Sequence, residues 1–354
     1  MKFTSAFAAL ALSMASSALA QNKCTEFSPC SREGYCDSDA MFCLWDLCDP
    51  TTSYNATSCW QPEGCTSRTT TFDSSNDVIA IRTYGGNPQA NAFLSVFEPN
   101  NAKAANGQLE LDMTYDAANN KGFGATVKAS TTIKYGKVTA RVKSASVATG
   151  VVTSFIIINE QTGDEFDFEW VGKNPAEVQT NYYYQKELDY TKMTPYAMAD
   201  TSAAYHDYTI DWTAEKTTWL VDNVPIRVLN RADTLDAATG VYKYPTSEAR
   251  VSFGIWDGGN SGAQGTQEWS GYPTPWSPTT VYKALVESVT IECAGEQLPS
   301  ESESESESES ESESESESGS EQPTDSTSEQ PTDDGNGEHS SESGEPPIKC
   351  RPRY

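Results

Sequence analysis

The sequence predicts an all-β domain over residues 66–296, with the architecture of a sandwich or a barrel. Val151–Asn159 (VVTSFIIIN) is a β-branched apolar run typical of a central strand. Residues 217–229 contain two further runs joined at Asp222-Asn223, a dipeptide that favours a hairpin turn. No long amphipathic helical pattern accompanies them. Many short strands over about 230 residues are typical of a single sandwich or barrel.

Composition divides the chain into four regions. Further alternating or β-branched segments predict strands at 131–142, 208–212, 250–256 and 287–292, all within the central domain. A signal segment (1–20), a small cysteine module (21–65) and a tail (297–354) flank this domain.

The N-terminus has the features of a secretory signal peptide. Met1-Lys2 precede a short apolar stretch, and Ala18-Leu19-Ala20 is a small-residue cleavage site. A buried N-terminal helix is the alternative. No later segment approaches ~18 consecutive apolar residues, so no membrane span is predicted. We therefore expect a secreted, extracellular protein.

Cysteine usage agrees with export. The chain has 9 cysteines, and those from Cys24 to Cys65 crowd into the small module, which has too little apolar content to fold without disulfides. Zinc is the competing interpretation, but this cluster has no CxxC pair and no histidine. We predict neither a metal nor a cofactor. Asn55-Ala56-Thr57 is a sequon for glycosylation at Asn55.

The charge is strongly acidic. The formal net charge is −27, and much of it comes from a Ser/Glu alternation at 300–318. Such a run buries no apolar surface, so the tail is predicted to be disordered and extended by self-repulsion. An acidic chain is repelled by phosphate backbones, which argues against nucleic acid as a partner.

One strand concentrates carboxylates. Residues 164–170 read DEFDFEW. Because side chains alternate between the faces of a strand, Glu165, Asp167 and Glu169 share one face and three aromatic residues share the other. The aromatic face suits a core, which leaves the acidic face toward solvent or a cleft. No lysine or arginine is interleaved to offset the repulsion.

Cleavage of a glycosidic bond would use this arrangement. A retaining glycosidase needs a carboxylate nucleophile and a protonated carboxylic acid about 5–5.5 Å apart. Positions i and i+4 of a flat strand lie roughly 13 Å apart at Cα, so Glu165 and Glu169 must lean toward each other. Asp167 can hydrogen-bond one and raise the pKa of the other. An acidic edge strand and a calcium site are the alternatives.

The same segment resembles a known family. DEFDFEWVG (164–172) resembles the active-site strand of glycoside hydrolase family 16, in the variant without an extra residue. Segments resembling that family recur in order along the chain: YGKV (135–138), GVVTS (150–154), TNYY (180–183), YTIDW (208–212), IWDGGN (255–260) and GTQEWSG (265–271). Together they resemble the fungal Crh cell-wall transglycosylases, in the branch with an N-terminal chitin-binding module.

The resemblance implies a β-jelly-roll sandwich and a division of roles. Glu165 would be the nucleophile, Asp167 the assisting carboxylate and Glu169 the acid/base. The implied reaction cleaves chitin and transfers the new reducing end to β-1,3- or β-1,6-glucan, because a sugar hydroxyl can resolve the glycosyl-enzyme in place of water.

Aromatic residues would hold the sugars. The resemblance implies that Tyr182, Trp256 and Trp269 stack on sugar faces in the cleft. Core packing is the alternative for each of these side chains.

The cysteine module resembles a hevein-type chitin-binding domain around CSREGYC (30–36) and Cys43. The resemblance implies sugar contacts from Ser31, Tyr35 and Phe42. The third aromatic position of that family is occupied by glutamate here, and a disulfide is missing. A chitin binder and a vestigial structural cap therefore remain alternatives.

Counting cysteines singles out Cys350. The seven cysteines of the module and Cys293 form an even set, so Cys350 is predicted to be a free thiol or to form an intermolecular disulfide. The last residues, KCRPRY, are not apolar, and no glycolipid anchor is expected.

Two other functions of the protein stay open: plain hydrolysis of β-glucan or chitin, and a non-catalytic wall lectin.

Overall fold

The computed structural model describes residues 23–61 and 63–295. The predicted signal peptide, the Ser/Glu tail and Cys350 lie outside the described residues. The strands in chain order are β1 (Cys30–Arg32), β2 (Tyr35–Asp37), β3 (Arg68–Thr70), β4 (Val78–Ala80), β5 (Phe93–Phe97), β6 (Ala102–Ala105), β7 (Gln108–Asp116), β8 (Lys121–Phe123), β9 (Ala125–Ala129), β10 (Gly136–Lys143), β11 (Val151–Asn159), β12 (Asp164–Val171), β13 (Glu177–Tyr183), β14 (Thr194–Ala197), β15 (His206–Trp212), β16 (Lys216–Val221), β17 (Val224–Asn230), β18 (Leu235–Asp236), β19 (Val241–Tyr242), β20 (Arg250–Asp257) and β21 (Val281–Cys293).

Helices are short in the described part of the chain. The α-helices are α1 (Ala40–Cys43) and α2 (Gln264–Ser270), and single 3-10 turns occur at Ser75–Asp77, Ile81–Thr83, Pro99–Asn101, Tyr190–Lys192 and Arg231–Thr234. None of the helices in the described ranges has the length and apolar character needed to cross a membrane.

Two large sheets form a sandwich, as in a jelly roll, so the predicted all-β class is confirmed. One sheet has the order β17-β16-β15-β10-β21-β7-β6, with β3 paired to β21 and β8 to β7. The other has the order β14-β13-β12-β11-β20-β9-β5-β4. One apolar core contains side chains from both sheets, including Phe155 and Phe168 from one and Val138 and Trp219 from the other. Burial of this core supplies the main driving force for folding.

Several predicted strands begin or end elsewhere. The hairpin at Asp222-Asn223 is confirmed, and both residues adopt positive φ (49° and 65°), which favours the twist of a two-residue turn. The segment predicted from residue 131 pairs regularly only from Gly136, because Tyr135 has φ 63° and interrupts the strand. The last strand, β21, is more than twice as long as predicted.

The cysteines of the module pair mostly among themselves. Its disulfides are Cys24–Cys36, Cys30–Cys43 and Cys48–Cys59, and Cys65 instead bonds to Cys293 at the end of β21. The predicted even set is thus fully paired. A small cluster of buried cysteines takes the place of a core in the module.

The module packs directly on the sandwich. Ala40 and Leu44 share an apolar cluster with Ile81, Tyr84 and Leu94 of the sandwich. The module is therefore held on the sandwich by apolar contacts, in addition to the Cys65–Cys293 disulfide.

Candidate active site

Strand β12 has one aromatic face and one acidic face, as predicted. Phe166, Phe168 and Trp170 are buried in the sandwich core. Trp170 meets Tyr208 edge to face with ring centroids 4.6 Å apart. Because alternate side chains point to opposite faces, this anchoring turns Glu165, Asp167 and Glu169 to the outer face of the sheet.

The neighbouring strands supply the floor around the carboxylates. On β11, Ile158, Ile156 and Ser154 lie opposite Glu165, Asp167 and Glu169, in that order. On β13, the corresponding partners are Tyr183, Asn181 and Gln179. Directly paired residues share a face of the sheet, so these side chains surround the three carboxylates. We call this surface the carboxylate face.

The acidic side chains of this strand differ in their hydrogen bonding. Asp164 is buried and accepts hydrogen bonds from the backbone amides of Gln185, Thr246 and Ser247. Within the described residues, no side-chain hydrogen bond reaches Glu165 or Glu169. Asp164 therefore organises the start of β12, whereas the two glutamates keep their oxygens available for a ligand.

Asp167 lies deepest of the three. Its side chain is buried, and its Oδ1 has no hydrogen-bond partner among the described residues. Burial is the main cause that raises the pKa of Asp167, to about 7, against the opposing attraction of Arg227. The carboxyl group therefore lies between two glutamates with one oxygen free of hydrogen bonds, and a backbone hydrogen bond from Asn181 opposes the rise of its pKa.

The surroundings of Glu165 and Glu169 are electrostatically unequal. Burial and then repulsion by Asp167 raise the pKa of Glu165 to about 8. Lys128 acts in the opposite direction, and Glu160, the ion-pair partner of Lys128, adds to the rise. Burial raises the pKa of Glu169 well above its ordinary value, and the charges acting on it, from Asp167 and Glu165, are both negative. The cation thus favours ionised Glu165, and the neighbouring anions favour protonated Glu169.

A tryptophan pair stands beside the Glu169 end. Trp256 and Trp269 are partly exposed and stacked, with ring centroids 5.8 Å apart and planes at 25°. The Trp269 indole Nε1 donates a 2.7 Å hydrogen bond to Gln179 Oε1, and Gln179 is the cross-strand partner of Glu169. Both tryptophans therefore lie beside the carboxylate face, and their stacking on sugars stays a prediction.

The predicted sugar contact of Tyr182 is wrong, because this residue does not face the carboxylates. It pairs with Phe166, packs in the core and lies under the cations of Lys192 and Arg227, so its ring is on the side opposite the carboxylates. The next residue, Tyr183, pairs with Glu165, and its pKa is raised by burial and by all three carboxylates. Since strand side chains alternate, the tyrosine of this segment that reaches the site is Tyr183.

The three residues predicted for chitin contact in the module have different environments. Ser31 is 1% exposed, with its Oγ accepting a hydrogen bond from Thr52 Oγ1, so the predicted sugar contact at Ser31 is wrong. Phe42 is partly buried, and the guanidinium of Arg82 lies 6.0 Å from its ring centre. Tyr35 is 74% exposed and is the one of the three that is open to a flat ligand.

Asn55, the predicted glycosylation site, is exposed in a turn where its Oδ1 accepts hydrogen bonds from the Thr57 backbone amide and hydroxyl. The described residues contain no group of three or more His, Cys, Asp or Glu side chains placed to hold a metal ion.

A sandwich sheet with hydrogen-bond-free glutamates and stacked tryptophans on one face defines a class of protein that acts on carbohydrate. Residues 89–271, half of the chain, match the glycosyl hydrolases family 16. The chain belongs to that family.

Relatives agree with the resemblance to the Crh group. Congo red hypersensitive protein 2 of Saccharomyces cerevisiae is 36% identical over 284 residues, covering 77% of this chain and 58% of that protein. Crh-like protein 3 of Botryotinia fuckeliana is 34% identical over 277 residues, covering 76% and 60%. The chain thus spans between 58% and 60% of the length of these two relatives.

Solved structures support the fold. A structure of Crh5 transglycosylase in complex with NAG is similar with a TM-score of 0.54 and 26% identity, covering 66% of this chain and 87% of that one. A Bacillus licheniformis beta-glucanase has a TM-score of 0.50 and 21% identity, with coverage of 66% and 99%. The second likeness concerns the fold alone.

Proposed function

We propose that the chain is a retaining transglycosylase that cleaves chitin and joins the new reducing end to β-1,3- or β-1,6-glucan, crosslinking the fungal cell wall. The single observation that carries the proposal is the placement of two hydrogen-bond-free glutamates, Glu165 and Glu169, on one face of β12 with buried Asp167 between them. The Crh names of the relatives, and the Crh5 transglycosylase among similar structures, support this substrate class.

The first step would form a covalent intermediate. An ionised oxygen of Glu165 attacks the anomeric carbon of the chitin sugar, and the glycosidic C–O bond breaks as Glu169 transfers its proton to the departing oxygen. Lys128 favours the ionised nucleophile, and the repulsion of Asp167 and Glu165 keeps the proton on Glu169 until it is needed. Asp167 assists through the repulsion that favours the protonated form of Glu169.

The second step would transfer the sugar. Glu169, now ionised, takes the proton of a glucan hydroxyl, whose oxygen attacks the same carbon and breaks the ester bond to Glu165. Stacking on Trp256 and Trp269 would place the sugars at the Glu169 end and reduce the access of water. Plain hydrolysis would use the same residues, with water in place of the hydroxyl.

The location is part of the proposal. Four disulfides in the described residues suit an oxidising compartment, which supports secretion to the cell wall. The exposure of Asn55 supports its glycosylation there.

A labelled acceptor tests the function. The protein is incubated with chitin and a fluorescent β-1,3-glucan oligosaccharide, and a β-1,6-glucan oligosaccharide serves in a parallel reaction. We expect label to enter the insoluble polymer, and none to enter with the Glu165→Gln variant. Soluble chitin fragments without labelled polymer would show a hydrolase instead, and no cleavage of either kind would leave a wall lectin.

A further inference from the structure

A cavity of about 250 Å3 lies where the cysteine module meets the sandwich. The module contributes Leu44, Trp60 and Gln61 to its lining, and the sandwich contributes Tyr84 and Arg250. The rings of Trp60 and Tyr84 lie 6.4 Å apart at 51°, so two aromatic surfaces border the cavity. Neither domain forms the cavity alone.

The cavity lies on the same side of the sheet as the carboxylates. Arg250 lies opposite Ile158, and Ile158 lies opposite Glu165, so all three side chains share one face. The distance from the Glu165 backbone is two strand spacings, about 10 Å. The loop that leads into β12 also touches the module, because the Gln161 side chain donates to the carbonyl of Trp45.

Arg250 has unused hydrogen-bonding capacity. It is 1% exposed, and its Nε and Nη1 find no hydrogen-bond partner among the described residues. Its ionic contact to Asp46 of the module is long, at 3.6 Å, and the Asp46 Oδ1 is also without a partner. Buried donors and acceptors left unpaired are costly, so this pair of side chains favours a ligand that supplies both kinds of group.

The charges around the cavity favour an uncharged ligand. Arg250 faces Asp46, and the neighbouring Lys128 is 2.5 Å from Glu160, so each buried cation has a carboxylate. Glu63, exposed at the rim, would repel an anion. Aromatic walls with balanced, unsatisfied polar groups are suited to the apolar faces and hydroxyls of a sugar ring.

We propose that this cavity is a remote sugar subsite, in which the cysteine module and the sandwich together hold one uncharged pyranose ring of a polysaccharide bound across the carboxylate face. The inference rests on the proposed function for the identity of the polysaccharide. It makes the module a wall of the binding cleft, which agrees with the burial of Ser31.

The test measures affinity as a function of ligand length. Chitin and β-1,3-glucan oligosaccharides of increasing length are titrated by calorimetry into the Glu165→Gln protein, which binds without turnover. The double change Gln61→Ala and Glu63→Gln alters two exposed rim residues, and Arg250→Lys keeps the charge opposite Asp46 but removes the guanidinium donors. Glu26→Gln, an exposed change elsewhere on the module, is the control.

We expect the ratio of affinities for long over short ligands to fall about fivefold or more in both variants, in at least one of the two sugar series, since one lost hydrogen bond costs about 1 kcal/mol. The control should keep the wild-type ratio. An unchanged ratio in the rim variant would overturn the subsite and leave a cavity filled by water. An equal loss for short and long ligands would show a purely structural role.

Binding is read without catalysis, so this result is independent of the transfer assay. A wild-type protein that transfers no sugar but shows the length effect would overturn the proposed function and retain the subsite.

Discussion

The two ends of β12 carry the same side chain in different surroundings. At one end, Glu165 faces Tyr183 and is influenced by the cation of Lys128. At the other, Glu169 faces Gln179, which is tied to Trp269, and feels only negative charge from its carboxylate neighbours. Two identical residues can thus be given opposite tasks, nucleophile and acid, by what the adjoining strands place beside them.

The largest expected effect is at the nucleophile end. Glu165→Gln preserves size and fold but removes the attacking oxygen anion, so transfer activity should fall by several orders of magnitude. Initial rates on chitin measure the loss. Glu215→Gln, an exposed change in the turn between β15 and β16 of the other sheet, should have wild-type activity and serves as the control. Activity of Glu165→Gln within about tenfold of wild type would sink the assignment.

The acid end should respond according to the leaving group. Glu169→Ala should lose about 10²–10⁴-fold on polysaccharide, where the departing oxygen needs a proton. On a dinitrophenyl glycoside, whose leaving group departs unprotonated, the formation of the glycosyl-enzyme should be nearly as fast as in wild type. Pre-steady-state release of dinitrophenol measures that step. An equal loss on both substrates would contradict the acid role.

The smallest expected effect is on thermal stability, and it concerns Asp167, which lies between Glu165 and Glu169 on β12. The pKa of Asp167 is raised to about 7, chiefly by burial, so the folded state holds a proton that the unfolded chain loses from about pH 4 upward. The stabilisation from that proton is complete below pH 4 and is lost as the pH rises to about 7. Asp167→Asn removes this loss and should raise the Tm near neutral pH by several degrees.

Calorimetric melting at pH 4 and pH 7.5 checks this expectation. The advantage of Asp167→Asn over wild type should be larger at pH 7.5. Asp200→Asn is the control, because Asp200 is exposed and its pKa is lowered by its hydrogen bonds to Ser202. A Tm difference that is the same at both pH values would contradict this expectation, because it would show that ionisation of Asp167 does not destabilise the folded state.

The sequence predicts local alternation well and strand register poorly. The faces of β12 follow from its own period, and so the shared face of the three carboxylates was predictable. Three consecutive tyrosines begin at Tyr182, and the one that reaches the site depends on the pairing of Tyr183 with Glu165, which is a contact between strands. Counting along one strand cannot supply that register.

Ion pairs between buried residues that are distant in sequence could not be predicted from the sequence. β7 alternates Leu109, Leu111 and Met113 with polar residues, a strand pattern that the predicted strands above omit. What its sequence cannot show is the burial of Glu110, whose charge is compensated by Lys283 on β21, 2.5 Å away. The docking of the module depends in the same way on partners distant in sequence, since Asp46 meets Lys128 and Arg250. Such pairs form only when the fold brings the two residues together, and the sequence around one member does not identify the other.

Azide rescue tests the division of roles most directly. In Glu169→Ala with a dinitrophenyl glycoside, azide should attack the intermediate on Glu165 and give a glycosyl azide of retained configuration. In Glu165→Ala, azide should replace the nucleophile and give the inverted product. Nuclear magnetic resonance of the anomeric proton distinguishes the two. Retention with Glu169→Ala and inversion with Glu165→Ala is the predicted result, and the exchange of these two outcomes would contradict the account.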